Sequence, residues 1–403
     1  MEYGLVLLWL AAYAWLAVAG LPVAAALFSR LEDRGAGLAL PLALATLWVV
    51  AYWVGHLARV VDPVRFGYPA LGAGLAVLLA LDAVALRRGV DIDWEGYLRV
   101  LAVFAAAFLL LVLVRSLDPA AWPGGGEKFL DFGLLASSLR AEALPPEDMW
   151  FAGEPVQYYY GGHMLASLLA RLTATPAVYA YNLALAGYYA LYVSTAYGLA
   201  GAIGAARGRS YHAAGLAAAF FVGFASNLST PVRLLVWLLP GRGGERVAAL
   251  AGIEMQGLAL GPDQFNYWFA SRVIPGTINE FPFFAWLNGD MHAHMMAPPF
   301  LLLIAGLLFA HHRTPADAVG RRRLLVGLVV PLAGVVAVVS TWAFPTVGGL
   351  TWLALTFGPG HPADLLVGRE RAPDGGATLG AEAVRTLAAL GVAAVVVLGG
   401  VLS

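Results

Sequence analysis

The chain has no cysteine, which excludes a disulfide framework, a thiolate metal site and a cysteine nucleophile. Charge is also scarce. Asp, Glu, Lys and Arg make up 12% of the 403 residues, about half the share a soluble domain uses to cover its surface. Among 24 basic residues Lys128 is the single lysine, and the formal net charge of -1 offers neither a basic face for nucleic acid nor an acidic tail. HExxH, P-loop and GxSxG patterns are missing, so zincin, NTPase and hydrolase-elbow chemistry have no support. What the chain has instead is apolar sequence: 60% of its residues are hydrophobic and the mean hydropathy is +0.75. This is the composition of an integral membrane protein.

A helix needs about 20 residues to cross a bilayer, and in lipid only helices and closed barrels satisfy their backbone groups. The apolar runs here do not alternate as barrel strands do. Helical spans are expected near residues 4–28, 37–58, 70–86, 98–114, 177–206, 213–239, 295–310 and 324–344. The run 347–357 either continues the previous helix past Pro345, turns back, or opens another span. The last run, 387–402, is short and stops at the chain end, as expected of the front part of a longer protein. The expected fold is all-α and polytopic, multi-pass in the cell membrane. It divides into a four-span bundle (1–114), an external segment (115–176), two spans (177–239), a second external segment (240–294) and further spans (295–403).

Arg313, Arg321, Arg322 and Arg323 assign the 311–323 loop to the cytoplasm, because positive charge accumulates on that side. Counting spans back from it puts Arg87, Arg88, Arg99, Arg207 and Arg209 on the same side, with Arg59 and Arg65 as exceptions. Both long polar segments then emerge on the external face, and function is expected there.

In the first segment Phe129, Phe132, Leu134, Leu135 and Leu139 predict an amphipathic helix on the membrane surface, ended by Pro145 and Pro146. Glu127 and Asp131 stand four apart on one helical face, where paired carboxylates suit general acid or base work. They equally suit the positive end of a helix dipole, with Lys128 as a solvated neighbour. Tyr158, Tyr159 and Tyr160 would span about 200° of a helix. They fit interfacial anchoring, or phenol donors for a sugar or phosphate beside Gly161, Gly162 and His163. In the second segment an extended backbone would put Asp290, His292 and His294 on one side as oxygen and nitrogen ligands for a divalent metal, Mg or Mn before Zn. The competing reading is a polar cap on the next span. Asp82, Asn182 and His56 lie in or near spans as candidate relay groups, Asp82 close enough to a span end to snorkel.

GEKFLDF at 126–132, PPEDMWFAGEPVQYYYGGH at 145–163 and FPFFAWLNGDMHAH at 281–294 resemble the Chlor_Arch_YYY membrane proteins, a family named for its YYYxG motif. LEDRG at 31–35 and AYNLALAGYYAL at 180–191 extend the resemblance over nearly the whole chain. That family is in turn similar in architecture to the GT-C glycosyltransferases. The resemblance implies a membrane-embedded glycosyltransferase that takes a sugar from a polyprenyl phosphate, entering sideways from the bilayer, to an acceptor on the external face.

On that reading Glu127, with Asp131 as rival, is the base. Lys128, Arg140, Trp150, Tyr158, Tyr159, Tyr160, His163 and Arg272 meet the substrates, Arg140 or Arg272 at the leaving phosphate. Asp290, His292 and His294 hold a metal there or orient the base. The chain departs from the GT-C pattern in having three spans before the one that leads into the first large loop. A lipid or solute transporter with a path through Asp82, Asn182 and His163, or a structural membrane subunit, are the other readings. Neither external segment has enough apolar residues for its own core, so the two are expected to fold together around one cavity.

Overall fold

The computed structural model describes residues 3–120, 126–239, 242–250, 266–274, 276–367 and 379–402. Its helices are α1 Tyr3–Leu27, α2 Ala36–Leu57, α3 Tyr68–Arg87, α4 Trp94–Leu117, α5 Lys128–Arg140, α6 Gly161–Leu172, α7 Ala177–Ala206, α8 Tyr211–Gly223 and α9 Ser229–Leu238. They continue with α10 Arg242–Leu250, α11 Phe284–Asn288, α12 Ala293–Met296, α13 Pro298–His312, α14 Val319–Gly327, α15 Val329–Val339, α16 Phe344–Thr356, α17 Asp364–Val367 and α18 Leu379–Leu402. There is no strand among the described residues. Among the described residues seven helical stretches are long and apolar enough to cross a membrane: α1, α2, α3, α4, α12–α13, α14–α15 and α18. The protein is a multi-pass, all-helical membrane protein.

Uninterrupted apolar runs fix the first four helices, and local chemistry fixes their ends. Asp93 starts α4 by accepting from the Gly96 N–H at 2.8 Å, a side-chain cap for an otherwise orphaned donor. α7, 30 residues long, is the central helix and packs against α2, α4, α8 and α13. Its contact with α2 is close: a Cβ on Gly37 would lie 2.5 Å from the Gly198 Cα. Small residues at such crossings let backbones approach where lipid gives no hydrophobic drive to associate.

The span expected at 177–206 is a long helix, α7, that is not among the seven stretches, and the last apolar run is not short but part of α18, a helix of 24 residues that is among them. Three further expectations need correction. Residues 213–239 do not form one span, because the helix stops at Gly223 and restarts at Ser229. Asn227 makes the break: its amide donates to the Ala270 carbonyl at 2.6 Å and its oxygen caps Ser229 N–H at 3.0 Å. Second, the surface helix α5 ends at Arg140, before either proline, and buries Leu134 and Leu135 in the protein. Third, Asp82 does not snorkel; it is buried and faces the Val23 backbone of α1. The 347–357 run belongs to a separate helix, α16, which follows a 3-10 turn at Thr341–Ala343.

Residues 161–172, expected to belong to an external segment, form helix α6, in which Gly161 to Ala170 are all buried. With α5 it closes one end of the bundle, where α2 and α4 finish and α7 and α13 begin. At the opposite end Tyr211 donates to Asp33 at 2.9 Å, Arg99 lies 5.4 Å over the Tyr211 ring, and Arg321 donates to the Ala26 and Leu27 carbonyls at 3.1 and 2.8 Å. The arginine loops assigned to one side therefore share one end. Arg59 and Arg65, the exceptions, serve the closed end: Arg59 donates to the Leu144 and Pro145 carbonyls at 3.1 and 3.2 Å, and Arg65 pairs with Asp62 and Glu142 at 2.9 and 3.6 Å.

Candidate active site

The closed end gathers polar groups from both long segments. Glu127 is the N-cap residue of α5, but its side chain makes no capping bond. Its half-exposed carboxylate lies 3.6 Å from His292 Nδ1, while Nε2 of the same ring is 3.3 Å from the Asp290 carboxylate. One imidazole thus bridges two carboxylates from segments remote in sequence. One helical turn after Glu127, Asp131 points inward, with its carboxylate 3.5 Å from His163 Nε2 and both residues buried. The two acids that share a face of α5 serve different imidazoles.

Asp290 is held from all sides. It is fully buried, and Asn288 donates its amide to it. The Tyr267 hydroxyl in turn donates to the Asn288 oxygen at 3.2 Å. Gly126, with φ +75°, lies directly against the carboxylate, and a side chain there would collide with it. Gly289, with φ +83°, packs against Arg115: a Cβ would stand 2.6 Å from the guanidinium carbon. The Gly289 carbonyl accepts from Tyr181 at 3.0 Å, and Arg115 Nε donates to the Asn182 oxygen at 2.9 Å. Backbone and guanidinium meet this closely only where no side chain intervenes. Asp290 Oδ1, Asp131 Oδ2 and both ring nitrogens of His163 nevertheless have no hydrogen-bond partner.

These charges reshape proton affinities. Burial opposes a charged His292, but the Asp290 hydrogen bond and the charges of Asp131, Asp290 and Glu127 outweigh it, so the imidazole titrates above its usual value. Burial, then the negative charges of Glu127 and Asp131, keep the Tyr158 phenol protonated beyond its usual range. His294 donates to Glu280, 3.3 Å away, which holds that carboxyl below its usual value.

The other nominated residues disperse. Lys128 is buried and paired with Asp118 at 3.7 Å, not solvated. Arg140 sits at the far, exposed end of α5. Arg272 lies over the Trp268 ring at 4.9 Å and donates to Ser271. Trp150 is exposed and stacks on Phe129, ring centroids 6.5 Å apart. The tyrosines divide: Tyr158 is exposed and stands near Glu127, Tyr159 lies against Tyr158 at 4.7 Å, and Tyr160 is buried with its hydroxyl 3.2 Å from His56 Nε2.

Asp290, His292 and His294 do not aim at one point. His294 stacks on His292 at 5.1 Å and turns to Glu280, and the two nitrogens of His292 face different carboxylates. No group of three His, Asp or Glu side chains among the described residues is arranged to hold a metal ion. The donor set as arranged fits a hydrogen-bonded relay better than a chelate.

A family model for uncharacterized membrane proteins, DUF2298, matches residues 46–403. The chain belongs to this family. The DUF2298 match takes in every residue of the cluster. No curated protein and no solved structure matches the chain.

Sequence reasoning on this DUF2298 chain missed Arg115, Tyr181, Asn288 and Glu280, and took Asn182 only as a relay group. An arginine at a span end reads as an interfacial anchor. Its burial depends on α7 bringing Asn182 to it, a contact no local pattern reveals.

Proposed function

We propose that this DUF2298 protein is a membrane-embedded glycosyltransferase that moves a sugar from a polyprenyl-phosphate donor to an acceptor hydroxyl on the external face. The observation that carries the reading is the Glu127–His292–Asp290 relay, with a solvent-reachable carboxylate at one end and a buried one at the other. The resemblance to YYY-motif and GT-C proteins supplies the donor class. Glu127 takes the proton of the acceptor hydroxyl as its oxygen bonds to the anomeric carbon. The bond from that carbon to the phosphate oxygen breaks, and the prenyl phosphate leaves with the bonding pair.

His292 holds the Glu127 carboxylate in place and Asp290 fixes the ring, as an orienting acid does for a catalytic imidazole. The proton departs to solvent through the open side of Glu127. Tyr158, protonated and beside Glu127, is placed to donate a hydrogen bond to the sugar or phosphate. The polar groups gather at one end of the bundle and not at mid-membrane, where transporters keep their sites.

The test is transfer of a labelled sugar from a polyprenyl-phosphate donor by the purified full chain. Glu127→Gln should lower the rate by about 100-fold or more with the unfolding temperature nearly unchanged. Wild-type turnover in that variant would remove Glu127 from the chemistry.

A further inference from the structure

The Tyr160–His56 contact, which lies outside the Glu127–His292–Asp290 relay, adjoins an apolar groove through Tyr52, one of the groove's lining residues. The groove has a volume of about 320 Å³ and is lined by Trp48, Tyr52 and Trp53 of α2, Gly334 and Ala337 of α15, and Phe344 of α16. α2 and α15 belong to stretches long and apolar enough to span a membrane, and the volume falls at the small end of ligand pockets. The lining is mostly apolar, with the Tyr52 and Thr341 hydroxyls and the Trp48 and Trp53 indoles as its polar side-chain groups, and so suits a hydrocarbon chain.

The groove is continuous with the closed end. Trp48 donates its indole N–H to the Gly161 carbonyl at 2.9 Å, the residue after the tyrosine triplet. Tyr52 stacks on Trp48 at 4.9 Å, lies tilted against the His56 ring at 4.4 Å, and hydrogen-bonds with Tyr160. The polar mouth therefore presents two phenols and an imidazole, with Arg59 near enough for its charge to act on both His56 and Tyr160. Arg59 is exposed yet fixed in place by the Leu144 and Pro145 carbonyls. Two of its donors are thereby engaged, and the remaining N–H groups and the charge stay available.

A guanidinium beside phenol and imidazole donors is the chemistry of a phosphate seat. A narrow groove ending at one such seat accepts one chain with an anionic head, where a diacyl phospholipid brings two chains.

We infer that the groove along α2 and α15 seats the hydrocarbon chain of a single-chain prenyl phosphate, with Arg59, His56, Tyr52 and Tyr160 holding the phosphate. This deepens the proposed function and rests on it for the lipid's role as donor. Lipid binding itself is measured without turnover.

The experiment is native mass spectrometry of the full chain in detergent, titrated with undecaprenyl phosphate, undecaprenol or dioleoylphosphatidylglycerol. One undecaprenyl phosphate should bind per chain, more tightly than undecaprenol, and phosphatidylglycerol should not displace it. Arg59→Gln should weaken the phosphate by about tenfold or more and leave undecaprenol unmoved. Ala337→Phe, which fills the groove, should weaken both, and Val49→Phe on the facing helix repeats the test should the first variant fail to fold. Equal binding in all variants, an equal Arg59→Gln effect on the alcohol, or displacement by phosphatidylglycerol would overturn the assignment. If Glu127→Gln transfers normally while these binding effects hold, the transferase reading fails and the lipid site stands.

Discussion

The two ends of the bundle bury acids in different ways. At the arginine-rich end, Asp33 accepts hydrogen bonds from Gly35 N–H, Gly37 N–H and the Tyr211 hydroxyl at 3.1, 3.2 and 2.9 Å. Those three bonds lock the α1–α2 turn to α8, and both carboxylate oxygens are engaged. At the closed end Asp290 and Asp131 each keep an oxygen without a hydrogen-bond partner, and neither ring nitrogen of His163 makes a hydrogen bond, its Nε2 standing 3.5 Å from Asp131. Leaving buried polar groups unmatched costs free energy, typically about 1–3 kcal/mol each. At the arginine-rich end the acid is fully matched although the arginines around it are not, since Nε of Arg99 and Nε of Arg321 also lack a hydrogen-bond partner there, so the contrast lies in the acids. Open hydrogen-bonding capacity at the closed end, beside a carboxylate that solvent can reach, fits a place where a ligand supplies the missing partners.

The largest expected difference follows directly. Asp290→Asn preserves shape but removes the charge that orients His292, and transfer should fall by about 100-fold, the lower range for an orienting acid–base partner. Asp33→Ala should do the reverse, costing on the order of 3 kcal/mol of stability through the unmatched donors it leaves, with turnover per folded molecule unchanged. Measuring both quantities on both variants breaks the comparison if Asp33→Ala loses turnover or Asp290→Asn does not.

Gly289→Ala should come next. The position combines φ +83° with a guanidinium carbon 2.6 Å from where the Cβ would be, so both strain and displacement of Arg115 act. A cost of about 1–3 kcal/mol is expected, together with a rate loss as Asp290 shifts. An unchanged melting temperature would show that the loop relaxes freely.

Most of the spans were legible because lipid demands long apolar helices, and runs such as 4–28 and 98–114 carry that demand in composition alone. The break at residues 224–228 was not, since it depends on an Asn227 side chain meeting Ala270, far along the chain. The closed end was legible in part. Glu127, Asp131, His163, Asp290 and His292 stand out as polar residues in Gly- and Pro-punctuated segments, and they lie together. Spacing could not tell which carboxylate meets which imidazole, because the chain turns at Glu127 before α5 begins. The burial of α6 was hidden for a related reason: its helix starts directly after three tyrosines that read as an interfacial belt.

A smaller effect concerns pH. The His292 imidazole titrates above its usual value in the folded protein. Its contribution to stability is therefore fully present below about pH 6.5, the unfolded value, and is lost as pH rises through the raised folded pKa. The Glu280 carboxyl is held low by His294, so its contribution is present above its unfolded value and lost as pH falls through the folded one. The difference in unfolding temperature between wild type and His292→Ala should shrink from pH 6 to alkaline pH, by a few degrees at most given one partly screened group. A difference that grows with pH would mean that the carboxylates do not favour the imidazolium.

The smallest effect expected is that of a chelator, and it bears on the Asp290, His292 and His294 trio most directly. A metal shared by these three would need one nitrogen of His292, one of His294 and an Asp290 oxygen aimed at a common point within about 2.2 Å. In the structure Nδ1 of His292 faces Glu127, Nε2 faces Asp290, and His294 is drawn away to Glu280. Bringing His294 back would break its contact with a Glu280 carboxyl that the imidazole holds ionised, with Arg272 adding positive charge nearby. Transfer activity should therefore survive EDTA, and Glu280→Gln should change it little. Loss of activity in EDTA, restored by Mg or Mn, would put a metal back at His292, and a further gain in metal affinity in Glu280→Gln would show that Glu280 had been competing for His294.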